Sequence, residues 1–466
     1  MQVKLALPKG RLMASTAALL DKIGLCLDQY NKGARSYRPV CQRYPGLEIK
    51  VFQEKDIPIQ VAVGNYVLGI CGLDWVEELL AKFPASSIVK VKNLGYNVSH
   101  LHLVVGNDKP APSIQDLSRF NGEIRLASEY PNLAEAFALR LRLKRFQVFP
   151  LWGSAEAYPP DSAEIAIISG NGVIPPGLSS VASILTSSAF LIANCDSWKS
   201  KDMAELLAII EQASGEKEPA ISGETTSTSV EKYSFPHSGR SLLRLALPDG
   251  HQQPPTSDFL SKAGLKIQGY GTAGVYRPSI DLPGVSVKVI RPQDMPLQVA
   301  CGNFDLAITG QDWLLDHLSR FPTSPVKELV RLDFGKVRVV AVVPEGLPVE
   351  TGQQLRGLVQ NGHFRRLRVA SEYVNIADKY ARDNHLGHYQ VIPTWGASEA
   401  FLPEDADLLI ENTQTGRTLA ENKLKIIDTI LESQACLIGR KNGLMPTEAQ
   451  SVINSLIDRF HGILGR

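Results

Sequence analysis

Long apolar runs, paired cysteines and a surplus of charge of either sign are all missing from this 466-residue chain. No stretch of eighteen consecutive apolar residues occurs, which excludes a membrane-spanning helix. The six cysteines stand singly at Cys26, Cys41, Cys71, Cys195, Cys301 and Cys436, with no CxxC pair and no Cys/His cluster. They read as reduced, packed thiols rather than disulfides or zinc ligands. With 49 Lys and Arg against 48 Asp and Glu, the net charge is +1. That leaves no basic field for nucleic acid and no acidic tail. The histidines form no ligand constellation, so none is assigned a catalytic role and no residue is assigned to a metal. The opening MQVKLALPKGR has too short an apolar run for an export signal, and the expected compartment is the cytoplasm.

What is present is a repeat. LALP at Leu5–Pro8 returns at Leu245–Pro248, and DIPIQVAVGNYVLGICGLDW from Asp56 returns as DMPLQVACGNFDLAITGQDW from Asp294. ASEYPNLA from Ala127 matches ASEYVNIA from Ala370, and PLWGSAEA from Pro150 matches PTWGASEA from Pro393. Offsets of 240, 238 and 243 leave room for few insertions. The chain divides into copy 1 (residues 1–214), a Ser-, Thr-, Glu- and Gly-rich linker (215–240) and copy 2 (241–466). Within each copy, short β-branched runs such as VKLAL, LEIKVF and LGICG alternate with segments of 3.6-residue apolar period such as LMASTAALLDKIGL. This pattern predicts βαβ units on a mostly parallel sheet. A closing amphipathic helix follows a late strand (FLIAN, CLIGR), so the first lobe is expected to take residues from both ends of its copy. In copy 1 these are roughly residues 1–97 plus 181–214.

The stretch with the most chemistry is ADLLIENTQTGRTLAEN, from Ala406 to Asn422. An apolar strand delivers Glu411, and Thr413, Gln414, Thr415, Gly416, Arg417, Thr418 and Leu419 turn toward the next element. Small and hydroxyl residues around a glycine let backbone N–H groups converge on an anion. Arg417 adds a fixed charge, and Glu411 can accept from sugar hydroxyls. Together these describe a pocket for a ribose 5-phosphate; the alternative is a polar turn closed by a glycine. Basic residues recur at other turns: Lys9 and Arg11 in PKGR, Arg35 and Arg38 in GARSYRP, and Arg291 in VIRPQDMP.

In this order, the lysine-glycine turn, RSYRP, RPxDxP, the GxxDLxITGxDW segment, the ASEYPN strand and E-x-x-x-TGRTL resemble the catalytic subunit of ATP phosphoribosyltransferase, the first enzyme of histidine biosynthesis. The resemblance covers the chain twice, apart from the linker. It implies an α/β fold of two tandem two-lobed modules like type II periplasmic binding proteins. It also implies a magnesium-dependent reaction of ATP with phosphoribosyl diphosphate that forms a ribosyl bond to adenine N1 and releases pyrophosphate. On that reading Arg291, Lys9, Arg11 and Arg35 are the catalytic cations, and residues 411–419 bind phosphoribosyl diphosphate. On the same resemblance the chain is expected to lack the regulatory histidine-binding domain of long family members, and short members work with a separate regulatory subunit. Further oligomerisation is also compatible with the resemblance. A non-catalytic ligand-binding or regulatory homologue is the alternative function.

The copies have diverged at complementary places. Copy 1 reads IISGNGVIPP where copy 2 reads IENTQTGRTL: Ile168 stands for Glu411, Val173 for Gly416, Ile174 for Arg417 and Pro175 for Thr418. Proline there removes a donor. Copy 1 also has Gln53 for Arg291. Copy 2 has Asp249 for Lys9, His251 for Arg11 and Gly274 for Arg35. The expectation is an intrachain pseudo-dimer with one composite site, in which copy 1 lends Lys9 or Arg35 to the loop of copy 2. The alternative is that copy 1 is a scaffold and copy 2 relies on Arg277 and magnesium.

Overall fold

The computed structural model describes residues 3–31, 37–107, 112–200, 243–441 and 447–465. The linker, the expected closing helix of copy 1 (residues 202–213) and Arg35 lie outside these. Among the described residues each copy contributes ten strands of five or more residues. In copy 1 they are β1 (Val3–Lys9), β2 (Leu47–Gln53), β3 (Leu68–Gly72), β4 (Ile88–Asn93), β5 (Ser99–Gly106), β6 (Ile124–Ser128), β7 (Phe146–Pro150), β8 (Ile165–Gly170), β9 (Leu178–Ser187) and β10 (Ala189–Asn194). Copy 2 repeats them as β11 (Leu243–Pro248), β12 (Val285–Ile290), β13 (Leu306–Gly310), β14 (Val326–Arg331), β15 (Val337–Pro344), β16 (Leu367–Ser371), β17 (Tyr389–Pro393), β18 (Leu408–Thr413), β19 (Leu424–Ser433) and β20 (Ala435–Arg440).

Each copy is two lobes, one sheet apiece. The first-lobe order is β2-β1-β3-β10-β4, and the second-lobe order is β9-β5-β8-β6-β7; copy 2 repeats both. β3 is buried at every position, as a strand covered on both faces must be. The sheets are not mostly parallel. β1 runs parallel to β2 and β3, whereas β10 is antiparallel to both β3 and β4. In the second lobe β8 pairs with β6, and β6 with β7, in parallel, while β5 is antiparallel to β8 and β9. The cause is the return of the chain: β10 arrives from the other lobe and enters the first sheet against its direction, which strand periodicity does not encode. The return also falls later than expected, at Ala189, because β9 still belongs to the second sheet.

Only Ser188 separates β9 from β10, and only Gln434 separates β19 from β20, so the lobes of each copy meet at short double crossings. In copy 2 the closing helix Thr447–Leu464 lays Ile453, Leu456 and Phe460 against Leu243, Leu245 and Leu437.

The copies pack crosswise. Leu7, Phe52 and Val61 of copy 1's first lobe share a core with Phe401, Leu402 and Leu409 of copy 2's second lobe. Phe52 and Phe401 meet edge to face at 5.3 Å. The reciprocal core joins Ile290, Met295 and Phe304 of copy 2's first lobe to Phe149, Leu151 and Tyr158 of copy 1's second lobe. One buried lysine anchors each junction. Lys50 Nζ lies 2.6 Å from Glu404 and 2.8 Å from Asp405. Its counterpart Lys288 donates to Ser162 Oγ at 3.0 Å and to the Tyr158 carbonyl at 3.2 Å, and lies 3.2 Å from Asp161.

Candidate active site across the crossed interface

The phosphate-loop residues sit at the end of β18 and the start of a short helix, Arg417–Glu421. Gly416 has φ +74°, a backbone shape that a β-branched residue strains to adopt. Its N–H donates to Thr413 Oγ1 at 2.9 Å, and that of Arg417 donates to Thr415 Oγ1 at 3.4 Å. The threonines therefore shape the turn from within. Leu419 is buried and fastens the loop to the core that the two copies share. Gln414, Thr415, Arg417 and Thr418 face solvent. The guanidinium of Arg417 holds Glu421 at 2.9 Å, an exposed pair that an incoming phosphate can exchange.

Glu411 points inward and is nearly buried; Asn412 N–H donates to its Oε1 at 2.9 Å. Two more carboxyls join it, Glu372 just after β16 and Glu399 in the turn Ser398–Phe401. Burial, and then repulsion from Glu372 and Glu399, lift the Glu411 carboxyl well above its ordinary range. Burial and Glu399 push Glu372 up to about 7, and burial raises Glu399. The cluster is primed to accept hydrogen bonds or positive charge.

That charge comes from copy 1. Lys9 Nζ donates to Tyr37 Oη at 3.0 Å and sits 4.7 Å from the centre of the Tyr37 ring. Burial pulls the Lys9 ammonium below its ordinary lysine value, and Glu399 across the interface works against that pull. The Tyr37 phenol is raised by burial and then by Glu399 and Glu411. Lys9 and Tyr37 therefore belong electrostatically to the glutamate cluster of the other copy.

The remaining cations go elsewhere. Arg291 lies in the reciprocal junction, 3.3 Å from Asp249, whose carboxylate also accepts from Ser154 Oγ at 3.2 Å. Gly153 lets it in: a Cβ there would stand 2.6 Å from Arg291 Nε. Arg291 thus serves the side of the molecule where Ile168 occupies the place of Glu411, apart from the 411–419 loop. Arg11 stays within copy 1, with Nε 3.0 Å from Glu54 and Nη2 2.6 Å from Asp74. Its Nη1 reaches Ser99 and Ser169, each at 3.4 Å. Since Ser169 is on β8, Arg11 spans the two lobes of copy 1. Tyr37, Glu372 and Glu399 were not singled out in the sequence. Their signal was their place inside the repeated YRP, ASEY and PxWGxxEA strings.

The family model described as ATP phosphoribosyltransferase matches residues 53–213 and again 291–462, one match per copy. The chain belongs to the ATP phosphoribosyltransferase family. A family member from Prosthecochloris aestuarii is 36% identical over 208 residues, which are 44% of this chain and 65% of that protein. One from Saccharolobus solfataricus is 32% identical over 231 residues, 48% of this chain and 72% of that protein. In the first of these alignments the chain spans less than two thirds of the relative's length. Among solved structures, the ATP phosphoribosyl transferase (HisG:HisZ) complex from Thermotoga maritima aligns with 47% of this chain and 99% of that one, at 21% identity and TM-score 0.38. The periplasmic sulphonate-binding protein SsuA from Escherichia coli aligns with 46% of the chain and 68% of its own, at 16% identity and TM-score 0.29.

Proposed function

We propose that the chain transfers the phosphoribosyl group of phosphoribosyl diphosphate to N1 of ATP, the first step of histidine biosynthesis, at one composite site per chain. The observation that carries this reading is that Tyr37 of copy 1, which accepts from Lys9 at 3.0 Å, shares a core with Ala397 and Ala400, the residues around Glu399 in the copy with the intact phosphate loop. Family membership supplies the reaction class.

On this reading the loop N–H groups, Thr413, Thr415 and Arg417 hold the 5-phosphate. Glu411 accepts from the ribose hydroxyls. As the bond from C1 of the ribose to the diphosphate oxygen breaks, its electron pair leaves with the diphosphate and the N1 lone pair forms the new bond. Positive charge on the ribose meets the glutamate cluster, and the growing charge of the diphosphate meets Lys9. Placement, rather than proton transfer, is the protein's main contribution. Among the described residues no group of His, Cys, Asp and Glu is arranged to hold a metal. Magnesium, when bound, would be held mainly by substrate phosphates and would offset part of the charge on the leaving diphosphate beside Lys9. No helix among the described residues is long and apolar enough to cross a membrane. The reading places the enzyme in the cytoplasm and is compatible with either a further oligomer or a separate regulatory subunit.

Pyrophosphate release by the purified full-length chain, given ATP, phosphoribosyl diphosphate and magnesium, tests the reaction. Lys9→Ala is expected to lower turnover about a hundredfold, the usual loss when one transition-state charge contact is removed. Asp249→Ala, at the equivalent position in copy 2, should leave it near that of the parent. No release by the parent chain would favour a non-catalytic binding homologue, and equal losses in the two variants would refute the composite site.

A further inference from the structure

Four of the five tryptophans, Trp75, Trp152, Trp313 and Trp395, line one cavity of about 620 Å³ between the copies. They are two matched pairs of the repeat, so the cavity lies where equivalent surfaces of the copies meet. Trp152 is the central ring, 5.8 Å from Trp313 and 6.4 Å from Trp395, both in the other copy. Tyr130 stacks on Trp75 at 4.3 Å and Tyr373 on Trp313 at 4.2 Å, which holds these two indoles in place. Of the residues at the candidate active site, only Glu372 also lines this cavity. A space of this size walled by flat apolar rings is typical of small-molecule sites.

Charge is distributed unevenly around it. Inside, the carboxylates are engaged: Glu78 accepts from the N–H groups of Asn132 and Leu133, Asp316 from those of Asn375 and Ile376, and Asp294 from that of Trp152. Lys55 pairs with Glu129 at 3.3 Å and stands 4.8 Å from the centre of the Trp75 ring. At the mouth, Lys82 and Arg320 end the helices Leu73–Lys82 and Gln311–Arg320, one from each copy. Both are exposed, and neither has an ion-pair partner among the described residues. Each lies over a phenylalanine, Phe83 or Phe321, that is itself exposed. The two ends of the cavity also differ. Where copy 1 has Lys55, copy 2 has Gln293, whose Oε1 is buried without a hydrogen-bond partner. The lysine that covers Trp75 thus has no counterpart beside Trp313, an inequality open to a duplicated chain and closed to two identical ones.

We infer that this cavity binds one amphipathic aromatic anion per chain, with its rings against Trp152, Trp313 and Trp395, an N–H turned to Gln293 and its negative group at the mouth beside Lys82 and Arg320. The walls alone suit any apolar guest. The two cations select a negative one, because the carboxylates inside are spent on N–H groups of the protein and on Lys55. A positive guest would pass Lys82 and Arg320 only to meet Glu372, which burial and Glu399 push up to about 7. Packing for stability does not explain the arrangement. Apolar side chains that served only a core would close on one another, since a void forfeits their contacts, and would not leave Phe83 and Phe321 in water at its rim. An occupant touching Trp152 of copy 1 and Trp313 and Trp395 of copy 2 ties the copies together.

Anilinonaphthalene sulfonate carries the three features, rings, an N–H and one negative group, and phenylnaphthylamine is the same molecule without the sulfonate. Titrated into the full-length chain, the sulfonate should bind once per chain. Excitation of tryptophan should light its emission, because four of the five tryptophans border the site. ATP and phosphoribosyl diphosphate should not displace it. Lys82→Ala/Arg320→Ala should weaken the sulfonate about tenfold and leave the uncharged amine unchanged; exposure of both cations sets the loss at the low end for charge-assisted contacts. Leu79→Trp, on the cavity wall, should weaken both probes alike by taking up the space they share. Because the ratio of two probes is read, a general loss of folding does not imitate the effect of the double variant. An unchanged preference for the sulfonate in that variant, several weak probe sites per chain, or displacement by the substrates would overturn the inference. The transferase reading is tested separately, by pyrophosphate release.

Discussion

Lys50 and Lys288 occupy equivalent positions in the two crossed junctions, yet their surroundings differ at two positions that can be exchanged, Ser162 and Phe304. Lys50 has two carboxylates, Glu404 and Asp405, and the Tyr66 hydroxyl also donates to Asp405 at 3.2 Å. Lys288 has only Asp161, because Ser162 stands where copy 2 has Asp405 and Phe304 stands where copy 1 has Tyr66. Burial, followed by repulsion from Arg277, pushes the Lys288 ammonium from an ordinary 10.5 down to about 7, with Asp161 opposing. In the unfolded chain the lysine keeps its proton up to its ordinary value, whereas in the fold it gives the proton up near neutrality. Between these values the unfolded state binds more protons, so stability rises with pH, by about 1.4 kcal/mol per unit at most. Below pH 7 the full penalty applies, roughly 3–6 kcal/mol by the same arithmetic. Ser162→Asp, with Phe304→Tyr to supply the missing hydroxyl, rebuilds the Lys50 arrangement. It should hold the proton on Lys288 to higher pH and flatten the dependence. Since a chain of several lobes need not unfold in one step, denaturation midpoints in urea from pH 6.5 to 9.5 are the quantity to compare. The parent midpoint should climb through this range, and the double variant should start higher and climb less. Parallel curves for the two proteins would refute the assignment of the slope to Lys288.

Arg417→Ala, or Gly416→Val, is expected to weaken phosphoribosyl diphosphate about ten- to a hundredfold while sparing ATP, measured by calorimetry; equivalent changes at Ile174 and Val173 should do little. Arg11→Ala leaves Asp74, fully buried, without its cation. Removing one partner of a buried pair costs about 3–5 kcal/mol, and the partial exposure of Arg11 brings this toward the lower end. A fall in the thermal midpoint of several degrees should appear, with Asp74→Asn/Arg11→Ala recovering part of it.

The repeat, the alternation of strands and helices and the loop at Glu411–Leu419 were legible because each is a local pattern: a period, a spacing, a glycine where the backbone must take positive φ. Crosswise packing was not legible, because Phe52 and Phe401 are simply apolar until the fold shows which lobe meets which. The same blindness explains Arg291. Counted by copy, it belongs with the loop; arranged in space, a first-lobe cation reaches the other copy's second lobe, so Lys9 arrives and Arg291 departs. Glu372 and Glu399 stood in the best-matched strings of the sequence, but a carboxyl acquires its character from neighbours far along the chain, as Glu411 does from Glu372.

The crossed cores also govern movement. Copy 1's first lobe and copy 2's second lobe share one core, and the other two lobes share another, so the four lobes make two bodies joined by double crossings. A rotation that opens the cleft of one copy must open the other, as two blades turn on one pivot. Arg11 fastens Asp74 and Glu54 to Ser169 across the cleft of copy 1. Placed in the copy with no phosphate loop, it is a brake on the copy that has one: the half without the loop sets how far, and at what energetic cost, the half with it can open.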